Sequence, residues 1–259
     1  MKNSIKELKT FLILWSTQSL SQLGSSMTGF ALTLWLYQKT GSALQTALLS
    51  ICSYAPYVVM SIFAGAFSDR WNKKKIMLAC DAFAACCTVT VLFLLKADQL
   101  QPMHMYLLNA VSGLMNTVQQ PASDVAMTII TPKKYYQKTS GMRSFSNSLI
   151  TILNPMLSTA IFSFAGMDAV IYIDLLTFAV AFLALLFGVK IISTEEENSS
   201  DKTAFLETVI SGLDYLRKNK LILTLILFLA GINFVASAFD AALPALILPR
   251  ENGGEAILG

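Results

Sequence analysis

The sequence predicts an all-α fold, a polytopic bundle of helices that crosses a membrane several times. Hydrophobic residues make up 54% of the 259 residues and charged residues only 14%, whereas a soluble domain carries about a quarter charged residues. The apolar residues gather in seven stretches, each about as long as the 20 residues that span a bilayer as a helix, or longer. Because strands of a membrane barrel are about half that length, each stretch is predicted to be a transmembrane helix.

The seven predicted helices divide the chain into two unequal parts. They cover residues 11–37, 44–67, 76–95, 103–125, 145–164, 169–189 and 221–242. Six of them form a first bundle over residues 1–189, and the seventh begins a second, incomplete bundle over residues 221–259. Residues 190–220 are predicted to be a cytoplasmic linker that carries an amphipathic helix on the membrane surface. The apolar residues of that helix are Phe205, Leu206, Val209, Ile210, Leu213 and Leu216.

Basic residues indicate how the chain is threaded. With a cytoplasmic N-terminus, all but three of the 19 lysines and arginines fall on the cytoplasmic side. The exceptions are Lys39, Lys96 and Arg250. Cytoplasmic loops of membrane proteins are enriched in basic residues, so the sequence predicts a multi-pass protein of the cell membrane with its N-terminus in the cytoplasm.

Three of the predicted helices carry a stripe of polar residues along one face. The stripes are Gln18, Gln22, Ser25 and Gly29 in the first span, Asn109, Gly113, Asn116 and Gln120 in the fourth, and Asn147, Thr151, Asn154 and Ser158 in the fifth. Lipid does not solvate amides, so these faces must meet protein or water. Two interpretations stay open, polar contacts between helices and a substrate cavity. A neutral, amide-lined cavity suits an amphipathic organic solute better than a small ion.

Four aspartates lie in the predicted spans. Asp81, Asp124, Asp174 and Asp240 all fall nearer the ends of their spans than the middle. A charge at the centre of a bilayer costs on the order of 3 kcal/mol. We therefore expect interfacial or helix-capping roles for these carboxylates rather than proton carriage.

The segment between the second and third spans carries the most specific motif. It contains Gly65, Asp69, Arg70, Lys73 and Lys74. A basic cytoplasmic loop explains the lysines, but it does not explain a glycine and an aspartate at fixed distances from them. The segment resembles the glycine-x-x-x-aspartate-arginine-x-glycine-arginine-lysine motif of the major facilitator superfamily. Asn72 stands where the superfamily has its second glycine, a mild change because asparagine also tolerates left-handed backbone.

This resemblance implies roles for individual residues. It extends over essentially the whole chain, which looks like the first seven helices of the superfamily, closest to the drug-efflux branch with macrolide and enterobactin exporters. In the superfamily, the motif residues latch the two halves of the transporter together in the outward-open state. The latch residues would be Gly65, Asp69, Arg70, Lys73, Lys74 and Asp124. Asp124 would take Lys73 as its partner. The cavity residues would be Gln18, Gln22, Asn109, Asn116, Gln120, Asn147 and Asn154.

The function implied by the resemblance is secondary active transport, the export of amphipathic drug-like or siderophore-like small molecules by alternating access. Its partners would be the small-molecule substrate, the lipid bilayer and a missing C-terminal six-helix half. We expect no bound cofactor or metal. The proton is the candidate coupling ion, although the fourth span lacks the arginine that many proton-coupled exporters carry there.

Other classes of function are less compatible with the sequence. The alternative that stays open is a non-transporting, half-size membrane module that pairs with another membrane subunit. An enzyme is disfavoured, because the sequence shows no nucleophile–base pair, metal-ligand set or glycine-rich phosphate loop. Nucleic-acid binding is disfavoured because the net charge is only +3 and the basic residues form short clusters between apolar runs.

Overall fold

The computed structural model describes residues 7–70, 72–189 and 214–247, without the side chains of residues 57–59, 61–70, 237, 238 and 240–247. Its long helices are α1 (Lys9–Thr40), α2 (Ala43–Arg70), α3 (Lys73–Lys96), α4 (Pro102–Ile130), α5 (Tyr136–Leu183) and α6 (Lys220–Ile247). A 3-10 turn, Lys133–Tyr135, precedes α5, and a π-helical turn, Ala184–Gly188, follows it. The described parts hold helices and no strand, so the predicted all-α fold is confirmed. Of the six apolar residues of the predicted surface helix in the linker, only Leu216 lies within the described residues.

Two apolar clusters at opposite ends of the bundle show the course of the chain. The first lies at the end where α1 and α3 begin and α4 finishes, and it includes Leu8, Phe11, Ile76, Met77, Ala126 and Met127. The second lies where α1 and α3 finish and where α2 and α4 begin, and it includes Leu34, Leu36, Leu49, Val91 and Met105. Successive helices therefore run in opposite directions, as expected of a chain that crosses a bilayer repeatedly.

Helix α5 consists of two arms that meet at Gly166. This glycine has φ 78° and ψ 176°, a conformation open to glycine and strained for other residues. Met142, near the start of the first arm, and Leu185, just after the second, both pack at the end of the bundle where α1 begins. Phe162 and Met167, which flank the break, pack at the other end. The two arms are therefore antiparallel, and the break falls between the fifth and sixth predicted spans.

Between residues 7 and 189, the basic residues with described side chains divide between the two ends. The end where α1 begins, which we call the basic end, holds Lys9, Lys73, Lys74, Lys75, Lys133, Lys134, Lys138 and Arg143. The other end, which we call the kink end because Gly166 lies there, holds Lys39 and Lys96. This distribution of charge is the one expected for a threaded membrane protein. The side of the membrane on which each end lies stays a prediction.

Asn72 has a different role from the one that its place in the motif suggests. Its backbone is extended, with φ −60° and ψ 111°, and not left-handed. The side-chain oxygen of Asn72 instead accepts a hydrogen bond of 3.1 Å from the backbone N–H of Lys75. Asparagine is among the best residues at the N-terminal cap of a helix, because it satisfies one of the free N–H groups there. Asn72 therefore starts α3.

The lengths and compositions of the helices fit a membrane-embedded bundle. Among the described residues, Lys73–Lys96 and Lys133–Gly188 are long and apolar enough to cross a membrane. The second stretch contains the break at Gly166, so it provides two crossings. Helices α1, α2 and α4 have 32, 28 and 29 residues, enough to span about 30 Å of hydrocarbon at 1.5 Å per residue. Polar residues of α1 and α4 contribute to the candidate site.

Candidate functional site

Asp81 lies inside the bundle and connects three helices. The carboxylate belongs to α3, and Asp81 is only 6% exposed. The side-chain amide of Gln18 in α1 donates a hydrogen bond of 3.2 Å from Nε2 to Oδ2. The amide of Gln119 in α4 donates from Nε2 to Oδ1. Each carboxylate oxygen therefore has its own amide donor, one from each neighbouring helix.

Asp174 forms a second polar contact of the same kind, about two helical turns further along α1. It lies in the second arm of α5 and is 3% exposed. Ser25 of α1 donates a hydrogen bond of 2.9 Å to Oδ1, and Thr88 of α3 donates one of 3.3 Å to Oδ2. Gly24 allows α1 to approach the second arm of α5 closely. A Cβ there would lie 2.4 Å from Oγ1 of Thr177 and 3.1 Å from Cα of Asp174.

The expectation of interfacial or capping roles is wrong for Asp81 and Asp174. Both carboxylates are buried among helices, where hydrogen bonds from neighbouring helices offset part of the cost of placing a charge in an apolar interior. Both aspartates also accept a hydrogen bond from α1, so α1 is joined to the rest of the bundle at two points along its axis. Asp240 cannot be compared in this way, since its side chain lies outside the described residues.

Gln119 is the site residue that the sequence analysis missed. The polar stripe of the fourth span was drawn through its neighbour, Gln120, and adjacent helical residues point about 100° apart. The signal that would have revealed Gln119 is Asp81 itself, because a carboxylate within an apolar span requires donors from other helices.

The seven predicted cavity residues separate into two groups. Gln18, Asn109 and Asn154 have partners within the bundle. Gln18 bonds to Asp81, Asn109 donates to the backbone oxygen of Met105, and Asn154 accepts from Ser158. The remaining four amides are exposed on the surface of the bundle, and they are Gln22, Asn116, Gln120 and Asn147. Only Gln18 bonds to another helix, since the bonds of Asn109 and Asn154 lie within their own helices. That the exposed amides line a substrate cavity stays a prediction.

An open cavity lies at the kink end, away from these amides. Its volume is about 500 Å³, and its lining includes Trp35, Leu95, Phe162 and Asp168. The residues predicted to line a cavity are not among those that form it. This cavity therefore provides no support for the predicted site.

Charged residues connect the elements at the basic end. Arg143 of α5 forms an ion pair with Asp124 of α4, where the sequence predicts Lys73 as the partner of Asp124. Lys134 forms an ion pair of 2.5 Å with Glu7 ahead of α1, and this hydrogen bond lowers the pKa of the Glu7 carboxyl. The sequence shows Arg143 only as one of several basic residues in a predicted cytoplasmic loop, and nothing in the pattern indicates its partner.

A family model for the major facilitator superfamily matches residues 14–254, which is most of the chain. The chain belongs to the major facilitator superfamily. The family predicted from the motif between α2 and α3 is therefore confirmed, and the helical bundle described above is embedded in a membrane.

Several characterised and uncharacterised members of the superfamily are similar to this chain. Macrolide efflux protein A of Streptococcus pyogenes is 25% identical over 246 residues, which cover 94% of this chain and 60% of that protein. A protein of the same name from Enterococcus faecalis is 25% identical over 82% of this chain and 65% of its own length. The uncharacterized transporter YfiS of Bacillus subtilis strain 168 is 25% identical over 98% of this chain and 60% of its own length. The chain thus spans about 60% of the length of these relatives.

The superfamily motif occupies the junction of α2 and α3. Gly65, Asp69 and Arg70 lie in the last turns of α2, and their side chains are outside the described residues. Lys73 is the first residue of α3 and is buried. Lys74 donates hydrogen bonds of 2.9 Å and 2.7 Å to the backbone oxygens of Leu186 and Val189. This motif lysine therefore binds the end of the same bundle.

Proposed function

We propose that the chain is the first bundle, and the beginning of the second, of a secondary transporter that exports amphipathic drug-like or siderophore-like small molecules by alternating access. The observation that carries the proposal is the exposure of four amides, Gln22, Asn116, Gln120 and Asn147, on helices of a membrane-embedded bundle. An amide in contact with lipid has no hydrogen-bond partner. These side chains therefore require a polar or water-filled surface, which the cavity between two bundles of a transporter would provide.

The chemistry of this surface supports an organic substrate. Amides offer both donors and acceptors without a net charge, so they can bind polar groups of an uncharged or weakly charged organic molecule. Such a lining favours solutes with an apolar body and a few polar groups. The names of two relatives, which refer to macrolide efflux, agree with a substrate of that class. The proton is the candidate coupling ion of this transporter.

The proposal is tested by transport in proteoliposomes that contain the full-length protein. We expect efflux of erythromycin or of the cationic dye ethidium when an ion gradient is applied. The double variant Asn116→Leu/Gln120→Leu should lower the rate at sub-saturating substrate about tenfold, because it removes two amide contacts. The matched control is Phe93→Leu, an exposed apolar residue of α3, which should transport normally.

Two further measurements separate the proposal from the half-size module. Residues 1–259 alone should give no coupled flux, because the interface between the two bundles is incomplete. Asp69→Asn in the full-length protein should slow cycling between the two states while the protein stays folded, if the motif acts as a latch. Absence of flux in the wild-type protein, or equal flux in the double amide variant, would contradict the proposal. Coupled flux by residues 1–259 alone would contradict the two-bundle mechanism.

A further inference from the structure

The contact between Asp81 and two glutamines sets the direction in which each glutamine faces. An ionised carboxylate has acceptors only, so an amide that approaches it must present its nitrogen. Gln18 does so from α1 at 3.2 Å, and Gln119 does so from α4 on the other oxygen. Because the nitrogen and the oxygen of an amide point in different directions, each Oε1 is turned away from Asp81.

The two Oε1 atoms are left with their acceptor capacity unused. Within the described part of the chain, no donor forms a hydrogen bond with Oε1 of Gln18 or Gln119. Both side chains are half-buried, so they reach from the buried carboxylate towards the surface of the bundle.

Gln18 and Gln119 each have an exposed amide side chain nearby in their own helix. Gln22 lies one helical turn after Gln18 on the same face of α1, and Gln120, next to Gln119 in α4, points about 100° away from it. Gln22 and Gln120 are exposed. Asp81 thus lies directly behind the amide-bearing surface that the proposed function assigns to the substrate. The two outward-facing amide oxygens are the negative ends of their carbonyl dipoles and favour a cationic donor.

We propose that Asp81 is a positioning residue that holds Gln18 and Gln119 as paired hydrogen-bond acceptors, so that the cavity selects substrates with N–H or O–H donors, above all a protonated amine. This inference rests on the proposed function, because it assumes that the amide surface contacts the substrate. It goes further by assigning a preferred polar group to the substrate and a role to a residue that does not itself touch it.

The test compares two cations that share an apolar cage and a charge, while three N–H donors of the first are replaced by three methyl groups in the second. 1-Adamantylammonium and N,N,N-trimethyl-1-adamantylammonium have the same apolar cage and the same charge, but only the first has N–H groups. We expect the full-length protein in lipid nanodiscs to bind the first about tenfold more tightly, which is the effect of a charge-assisted hydrogen bond. In Asp81→Asn, the new amide group can donate to one glutamine and turn its oxygen inward. The preference should then fall to about twofold or less.

A second variant and a control make the test independent of folding. Gln119→Met keeps the length of the side chain and removes one acceptor, so it should also reduce the preference. Asp174→Asn changes the other buried carboxylate, whose partners are the hydroxyls of Ser25 and Thr88, and it should leave the preference unchanged. An equal loss in Asp174→Asn would show a general structural effect and overturn the inference.

The outcomes also separate this inference from the proposed function. If the wild-type protein binds both cations equally while its efflux activity is intact, the role of Asp81 is wrong and the transporter proposal stands. If neither cation binds saturably and no efflux is measured, both proposals fail. A preference that persists in both Asp81→Asn and Gln119→Met would also overturn the inference.

Discussion

Gly113 permits a close approach between the backbones of α2 and α4. A Cβ at Gly113 of α4 would lie 2.1 Å from the backbone oxygen of Ser53 in α2 and 3.1 Å from its carbonyl carbon. The clash would be with backbone, which cannot rotate away as a side chain can. Small residues allow this approach in membrane proteins, where van der Waals contacts drive much of the helix association.

We therefore predict that Gly113→Ala destabilises the bundle. Overpacking of this kind costs about 1–3 kcal/mol, because α2 and α4 must move apart to accommodate the methyl group. Thermal unfolding in detergent, followed by tryptophan fluorescence, should show a midpoint lower by about 3–10 °C. The control is Gly141→Ala in α5, where a Cβ meets no atom within 4 Å. That variant should unfold at the same temperature or higher, since alanine favours helix. Equal midpoints for Gly113→Ala and wild type would contradict the prediction.

Residue roles at the candidate site were only partly predictable from the sequence. Periodicity identified Gln18 and Gln22 as members of one polar face, because both lie on the same stripe of α1. It could not show that Gln18 binds Asp81 while Gln22 is exposed, because that depends on how α3 and α4 pack beside α1. The partner of Asp124 was not predictable for the same reason, since several basic residues lie in the loops at this end of the bundle.

At the scale of elements, Lys74 ties the start of α3 to the end of α5. Its ammonium group binds the backbone oxygens of Leu186 and Val189. The last carbonyls of a helix have no partner within the helix, and a cation there satisfies them and complements the helix dipole. Residue 190 follows directly, where the predicted linker begins. Lys74 therefore fixes the position from which the linker departs.

We predict that Lys74→Ala loosens the end of α5. Loss of these charge-assisted bonds should cost about 1–2 kcal/mol locally, so amide hydrogen exchange in residues 183–189 should become roughly 5- to 30-fold faster. The control is Lys75→Ala, which removes an exposed lysine of the same basic turn and should leave exchange there unchanged. Identical exchange in the Lys74 and Lys75 variants would show that the contact does not hold this end.

The helices themselves were largely predictable, and the way they connect was not. Long apolar runs predict spans because a backbone in lipid must form its hydrogen bonds internally. The helices extend beyond the predicted spans at both ends, as α1 does from Lys9 to Thr40 against residues 11–37, because a helix continues past the apolar core. The cap at Asn72 depends on backbone dihedral angles, which composition does not determine.

At the scale of the whole molecule, the separation of charge between the two ends makes the orientation testable. The cytoplasmic position of the basic end rests on the excess of lysine and arginine there. A variant without its four native cysteines would carry a single new cysteine, either in place of Lys75 at the basic end or in place of Gln99 in the α3–α4 turn at the kink end. Both positions are exposed.

We predict that a membrane-impermeant maleimide added to intact cells labels Gln99→Cys and not Lys75→Cys. Lys75→Cys should react only after the membrane is permeabilised, which also serves as the control for accessibility. Labelling of Lys75→Cys in intact cells, with protection of Gln99→Cys, would place the N-terminus on the exterior and reverse the predicted threading.

The junction at Gly166 limits how accessible the chain is to external reagents between the fifth and sixth crossings. Two antiparallel crossings are joined there through one glycine instead of a loop, so the connection between them exposes very little chain outside the two helices. Proteases and antibodies that act from that side would find no extended loop to cleave or bind between the fifth and sixth crossings. An inserted epitope tag would have to interrupt a helix to be displayed there.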